Sequence, residues 1–301
     1  MNNYSVVIHE IKSSLREIRK TNRYDKGKYS CYTQWHALHS FIRLASMYIE
    51  DGNYEEGLND IYTASVIIRY FFEMYFQGYP IFFNLTGPAN WKYVLLSMIT
   101  QDQALIKSIG EYWSLLTDKQ FNQWLIKSRD VIHYYWEIPY WEYDIAKLLS
   151  LLISKKTEEA KELFSISKRK YSDATYRHVY YSMEAIAAFD KTAFSTAIQN
   201  FNRGWKHAKG CINDNVNLYG AALICLAQHV WNEELDLSFP LIPVEITHAH
   251  PPYTAFPFSH EFFEIPSENE IENWKNVGVI VKKQNWLARV LYSIFHSKNK
   301  K

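Results

Sequence analysis

Ligand-type side chains are densest near the C-terminal end of the sequence. His248, His250 and His260 lie close together, with Glu245, Glu261 and Glu264 beside them. Imidazole and carboxylate are good zinc ligands. A His-x-His in a proline-rich stretch matches no defined metal spacing, however. It reads as surface histidines stacked on prolines and aromatics. Two other pairs are of acid–base type: His36 and His39, three apart on one helix face, and His133 and Glu137, four apart on another. Neither comes with a nucleophile motif and both are surrounded by aromatics, so structural hydrogen bonds account for them. The ten glycines are scattered singly and form no phosphate loop, and G-x-S-x-G, H-E-x-x-H and C-x-x-C are absent. These residues therefore assign no catalytic residue, no cofactor-binding residue and no metal ligand. No cofactor is expected, and nothing supports an enzyme.

Two further clusters invite a binding role. Lys155, Lys156, Lys161 and Lys168-Arg169-Lys170 form a basic tract, interleaved with Glu158, Glu159 and Glu162. That interleaving favours an exposed helix face with i,i+4 pairs over a nucleic-acid groove. The aromatic run His133-Tyr134-Tyr135-Trp136-Glu137-Ile138-Pro139-Tyr140-Trp141 has two readings. It packs between helices at a break set by Pro139, or part of it is an exposed anchor patch. Core packing is the preferred reading. Phe256, Phe258, Phe262 and Phe263 are expected to pin the proline-rich segment to the helices in the same way.

The elements that must position these residues are helical. Tyr4, Val7, Ile8, Ile11, Leu15 and Ile18 recur at three- and four-residue steps. So do Ile61, Ala64, Ile68, Phe71, Phe72 and Tyr75; Phe194, Ile198, Phe201 and Trp205; and Val216, Tyr219, Leu223, Leu226 and Val230. Each set draws one apolar stripe on a helix. Helices are predicted near 3–20, 32–50, 53–77, 88–100, 102–116, 118–136, 140–153, 156–168, 173–189, 191–208 and 213–230. Short turns join them at Asp51-Gly52-Asn53, Lys155-Lys156-Thr157 and Asp190-Lys191-Thr192. The first and last of these turns look alike, each setting an aromatic three residues before a small residue: Tyr54 before Gly57, and Phe194 before Ala197. No strict 34-residue period is present, so a regular tetratricopeptide array is not supported. The expected fold is all-α, an irregular stack of antiparallel helix hairpins. Residues 1–238 form the helical domain. Residues 239–301 form a Pro-rich extended segment plus a short C-terminal helix, packed on the same domain.

With 301 residues, 17% of them aromatic, the chain is neither disordered nor low in complexity. A net charge of only +1 argues against a wholly basic nucleic-acid binder. That figure hides an asymmetry. Residues 1–28 carry +4 and residues 282–301 carry +6, whereas 29–281 hold 20 basic against 29 acidic residues. Cys31, Cys211 and Cys225 are odd in number and lack metal-site spacing, so they read as reduced thiols. Cys225, in an apolar helical run, is expected in the core. The N-terminus lacks the apolar stretch of a signal peptide, and no run approaches a membrane span. The expected location is the cytoplasm, with no membrane partner.

Three stretches together resemble the immunity-49 family of bacterial polymorphic toxin systems: PANWKYVLLSMITQDQALIKSI (88–109), FSTAIQNFNRGWKHA (194–208) and DNVNLYGAALICLAQHVWNEELDLSFPLIPVEI (214–246). They show a Trp-containing helix leading through a polar turn to a second apolar helix, then a later amphipathic helix. A small-residue apolar helix follows and runs into a Pro-containing extended segment. The likeness covers roughly 50–246 in order and spacing. Its motifs are mostly apolar positions, and residues 247–301 extend past it. The resemblance implies an all-α immunity protein that binds and neutralises a cognate toxin in a stoichiometric complex. It assigns no functional residues. An acidic body suits a basic partner such as a nuclease toxin, because a nucleic-acid substrate is anionic. Two other readings stay open: a helical-repeat adaptor that binds a host peptide, and a metal-dependent enzyme built on His248, His250 and His260.

Overall fold

The α1–α2 hairpin shows how the chain builds its layers. Helix α1 (Ser30–Glu50) buries Leu38, Phe41, Ile42, Ala45 and Ile49, and α2 (Tyr54–Phe76) buries Leu58, Ile61, Ile68, Phe71 and Phe72. Both sets follow the helical period, so the two apolar faces close on each other. Between them Gly52 takes φ +81°, and its neighbours complete a helix-ending motif in which Asn53 N–H donates to Tyr48 O at 2.8 Å. The computed structural model describes residues 30–76, 90–117, 140–166, 174–207, 213 and 215–248, with positions 9 and 13 besides. The predicted helices 3–20 and 118–136 therefore lie almost wholly outside the described residues, as does the chain after His248.

The remaining helices are α3 (Trp91–Leu96), α4 (Gln103–Leu116), α5 (Tyr140–Ile153), α6 (Thr157–Ile166), α7 (Ala174–Ala188), α8 (Lys191–Gly204) and α9 (Leu218–Trp231). Among the described residues the fold is all-α, with nine α-helices and no strand. Helices α5 and α6 pair across a short turn, and so do α7 and α8. The same closing geometry recurs at both turns, with Lys155 at φ 55° and Phe189 at φ 59° where the first turn has glycine. Lys156 N–H reaches Leu151 O at 2.8 Å and Asp190 N–H reaches Ala185 O at 3.0 Å. A side chain in this left-handed region costs about 1–2 kcal/mol. Asp190 then caps α8, accepting from Ala193 N–H at 2.9 Å.

Helix α9 is the centre of the stack. It packs on α3, on α5, α7 and α8, and on the 3₁₀ turn Ser97–Thr100. Every residue from Leu218 to Ala227 is buried. A helix apolar on all sides is a core helix, so the single stripe expected from Val216 to Val230 understates it. The expected helix 213–230 begins instead at Leu218, because the Asn217 side chain accepts from Gly220 N–H at 2.8 Å and starts the helix there. The expected helix 88–100 is α3 followed by the 3₁₀ turn. There Ser97 and Thr100 turn their hydroxyls back onto Val94 O and Ser97 O, at 2.6 and 2.8 Å. The proline-rich stretch, expected to be free of helix, holds one 3₁₀ turn at Val244–Ile246, where seven residues without proline follow Pro243.

Close packing in the first hairpin is set by Gly57. A Cβ there would stand 2.5 Å from Ile49 Cγ1 and 3.0 Å from Ala45 O. The carbonyl belongs to the α1 backbone and cannot swing aside. Gly57→Val is expected to cost about 2–3 kcal/mol by overpacking. Gly52→Asn, which meets open space and tolerates φ > 0, should cost well under about 1 kcal/mol. Urea denaturation midpoints of the two variants check the contrast.

Candidate functional site

His248 makes its described contacts within its own turn and with Glu234. Its Nδ1 is 3.0 Å from Val244 O within its own turn, and its Nε2 is 3.7 Å from a Glu234 oxygen. His250, His260, Glu261 and Glu264 lie outside the described residues. Among those described, no group of three or more His, Cys, Asp or Glu side chains is placed to hold an ion. His39 is exposed, and its Nδ1 is hydrogen-bonded to the Tyr93 hydroxyl at 3.1 Å. Burial holds that phenol far above its ordinary range. The side chain of His36, the pair His133 and Glu137, and the four phenylalanines from Phe256 to Phe263 are outside the described residues, as is most of the run 133–141.

Two readings of the residues can be followed into the structure. Cys225 is buried on α9, where its Sγ lies 3.8 Å from Ile246 O, and burial pushes the thiol up to about 12. It is a core residue without thiolate character. On α6, Lys161 pairs with Glu158 at 2.7 Å, and Lys156 just before the helix pairs with Glu159 at 3.3 Å. These pairs are spaced i,i+3 rather than i,i+4, and they leave that helix face of mixed charge. Lys168-Arg169-Lys170 lies outside the described residues.

The feature the fold brings together is an acidic face. Residues 44–68 and 213–248 hold ten Asp and Glu and not one Lys or Arg. The rest of 29–281 is nearly balanced, with 20 basic and 19 acidic residues. The acidity of the body therefore resides in these two segments, and they pack on one another. The Tyr54 hydroxyl is hydrogen-bonded to Glu245, and burial together with that carboxylate raises its pKa. Asn213 and Asn215 donate to the two Glu50 oxygens at 2.6 and 2.7 Å. Glu55, Glu56 and Glu245 are exposed around the first turn of α2. There the helix dipole favours negative charge.

Polar struts hold this face in place. Gln101, at φ 51° between the 3₁₀ turn and α4, donates from Nε2 to His248 O at 2.7 Å and Thr247 O at 3.2 Å. Those bonds tie the end of the acidic segment to the α3–α4 corner. The charge count at 1–28, 29–281 and 282–301 showed an acidic body but did not separate these two stretches within it. Their juxtaposition became visible only when α2 was seen against Val244–Ile246.

A groove of about 720 Å³ opens elsewhere, between α4 and the α5–α6 turn, lined by Lys107, Gly110, Glu111, Lys155 and His229. His229 donates from Nε2 to Ile153 O at 2.9 Å. Its pKa is lowered, chiefly by burial and also by Lys155. His178 is lowered as well, by burial and then by Arg177. Both imidazoles thus bind a proton less readily folded than unfolded. Below the ordinary value of 6.5 the unfolded chain takes up more protons, so this stability is complete above about pH 6.5 and is lost as pH falls. The melting temperature is expected to drop between pH 7.5 and pH 5.5. Changing both histidines to glutamine should flatten that slope, as measured by calorimetry across the range.

Among the described residues no helix is long and apolar enough to cross a membrane. Compared with models of known protein families, with curated proteins and with solved structures, the chain has no match in any of the three.

Proposed function

We propose that this chain is the immunity protein of a bacterial polymorphic toxin system. It acts in the cytoplasm without catalysis, binding a cognate toxin domain one to one and holding it inactive. The reading starts from the resemblance over residues 50–246. What supports it most is that the described parts of the three resembling stretches form one packed unit. The Trp91 ring lies 6.3 Å from Tyr219, the Trp205 ring packs edge-on against Tyr219 at 5.8 Å, and Asn217 donates to Asn202 Oδ1 at 3.4 Å. The apolar positions that carry the resemblance are thus scaffold, and the partner-specific surface is sought among the exposed polar positions around them.

The acidic face is the surface that suits such a partner. A toxin that cleaves nucleic acid carries a basic cleft for its anionic substrate. Glu55, Glu56 and Glu245 would draw that cleft in by long-range attraction and cover it. A specific complex buries about 1,200–2,000 Å², which a helical stack readily offers. The test is co-expression with the toxin domain encoded beside this reading frame. Cells making both proteins are expected to survive, with the two proteins purifying together. Death as rapid as with the toxin alone, and no complex, would overturn the reading.

A further inference from the structure

Among the described residues only three large hydrophobic side chains are left exposed, namely Leu115, Tyr181 and Phe189. Two of them belong to one strip. Tyr181, Glu184 and Ala188 follow each other at steps of three and four along the exposed face of α7, and Phe189 comes next in the turn.

Phe189 is placed against its own backbone preference. The three hairpin turns closed by the same motif carry Gly52, Lys155 and Phe189 at the left-handed position. A bulky aromatic is the least suited of the three, and folding alone gives little in return, since Phe189 stays 52% exposed. The ring does have a firm base. It lies over Trp231 at 6.4 Å with the planes 30° apart. Trp231 is itself fixed, donating from Nε1 to Ile186 O at 2.9 Å and meeting Phe194 edge-on at 5.4 Å. The result is a rigid aromatic step presented to solvent.

Carboxylates flank this step in the sequence. Glu184 and Asp190 stand on one side in sequence, and Glu233, Glu234 and Asp236 follow Trp231 on the other, all exposed. Lys191 adds one cation, and it is bonded to Glu233 at 2.6 Å. An aromatic face carries negative electrostatic potential and stacks guanidinium better than ammonium, while a carboxylate offers the matching bidentate acceptor. Exposed aromatics of this kind are also frequent anchors of protein interfaces.

We propose that Phe189, with the α7 strip that leads to it, is a docking anchor for an arginine-bearing loop of a basic partner protein. This rests on the reading of the chain as an immunity protein, and the partner is then the toxin domain. Its contact would extend from the acidic face to a second site at the α7–α8 turn.

The experiment titrates the toxin domain encoded beside this reading frame into the full-length protein, with melting curves on every variant. Phe189→Gly removes the ring and also relieves the left-handed backbone. It is expected to melt no lower than the parent and to bind at least tenfold more weakly. Asp236→Lys, a surface change, is expected to weaken binding several-fold with an unaltered melt. If Phe189→Gly binds as tightly as the parent, the anchor is overturned while the immunity reading stands. If the parent itself does not bind, both fall. If Phe189→Gly melts lower, Phe189→Leu decides, since it keeps the apolar bulk and loses the aromatic face: weakened binding upholds the anchor and unchanged binding overturns it.

Discussion

Replacing Trp113 with alanine is expected to remove about 4 kcal/mol of stability. The ring is fully buried on α4 and stacks on Phe72 of α2 at 5.6 Å. Its Nε1 donates to Ala146 O of α5 at 3.0 Å. One side chain therefore joins three helices of the stack, and alanine would leave a void between them. Domains of ordinary stability hold about 5–15 kcal/mol in total, so the variant would be close to unfolding. The melting temperature should fall by about 8–16 °C, read by circular dichroism. Trp113→Phe keeps most of the apolar volume and loses the indole hydrogen bond, so about 1–2 kcal/mol is expected. Leu115→Ala, two residues along on the exposed face, should change stability by less than about 0.5 kcal/mol. A loss below about 1 kcal/mol for Trp113→Ala would mean that α4 is not joined to α2 and α5 as described.

The second large effect is expected at Asn217. It is wholly buried at the start of the central helix α9. Its Oδ1 accepts from Gly220 N–H at 2.8 Å, and its own N–H donates to Leu241 O at 2.7 Å. The amide side chain also fills the place a Cβ on Gly220 would take, 2.9 Å away. Asn217→Ala leaves the Gly220 N–H without its partner, away from water. A lost cap of this kind costs about 1–2 kcal/mol, and burial of the orphaned donor raises it toward about 3 kcal/mol. Asn217→Ser supplies a hydroxyl acceptor and should recover part of the loss. Urea unfolding of the two variants measures both. The bond to Leu241 O comes from the Asn217 backbone N–H and is kept in Asn217→Ala, so hydrogen exchange between 235 and 248 should change little.

What the sequence made legible follows from periodicity. The stripe from Phe194 to Trp205 is buried as expected, because polar neighbours alternate with it and set the phase; that from Ile61 to Phe72 is buried too, but Thr63 to Ile68 are buried without a break, so one stripe understates it. The turn at Asp51-Gly52-Asn53 was marked by its glycine. The turn after α7 was placed at Asp190-Lys191-Thr192, whereas the chain turns one residue earlier, on Phe189. Nothing in an aromatic signals φ > 0, since the left-handed residue there is held by the hairpin and not by its own preference. Helix α9 hid its full burial for the opposite reason: where nearly every position is apolar, there is no phase to read. The close approach at Gly57 falls on the small residue that follows Tyr54 by three, one of the two such positions that the sequence marked. The parallel Thr157-Glu158-Glu159-Ala160 was not marked, although Ala160 is buried at the equivalent point of the α5–α6 hairpin.

The candidate face was only half legible. Its charge can be counted from the sequence, but the count joins 44–68 to 213–248 only through contacts such as Tyr54 with Glu245 and Glu50 with Asn213. Of the histidine cluster only His248 lies among the described residues, where it is engaged with its own turn and with Glu234.

The most direct measurement is a titration of the purified toxin domain, at fixed concentration and well above Kd, with the full-length protein, following the toxin's own activity. A stoichiometric blocker predicts a linear fall that reaches zero at one molar equivalent, with toxin recovered intact when the complex is dissociated. Inactivation by substoichiometric amounts, or toxin chemically altered after exposure, would mark an enzyme. Activity unchanged at several equivalents would remove the immunity reading altogether.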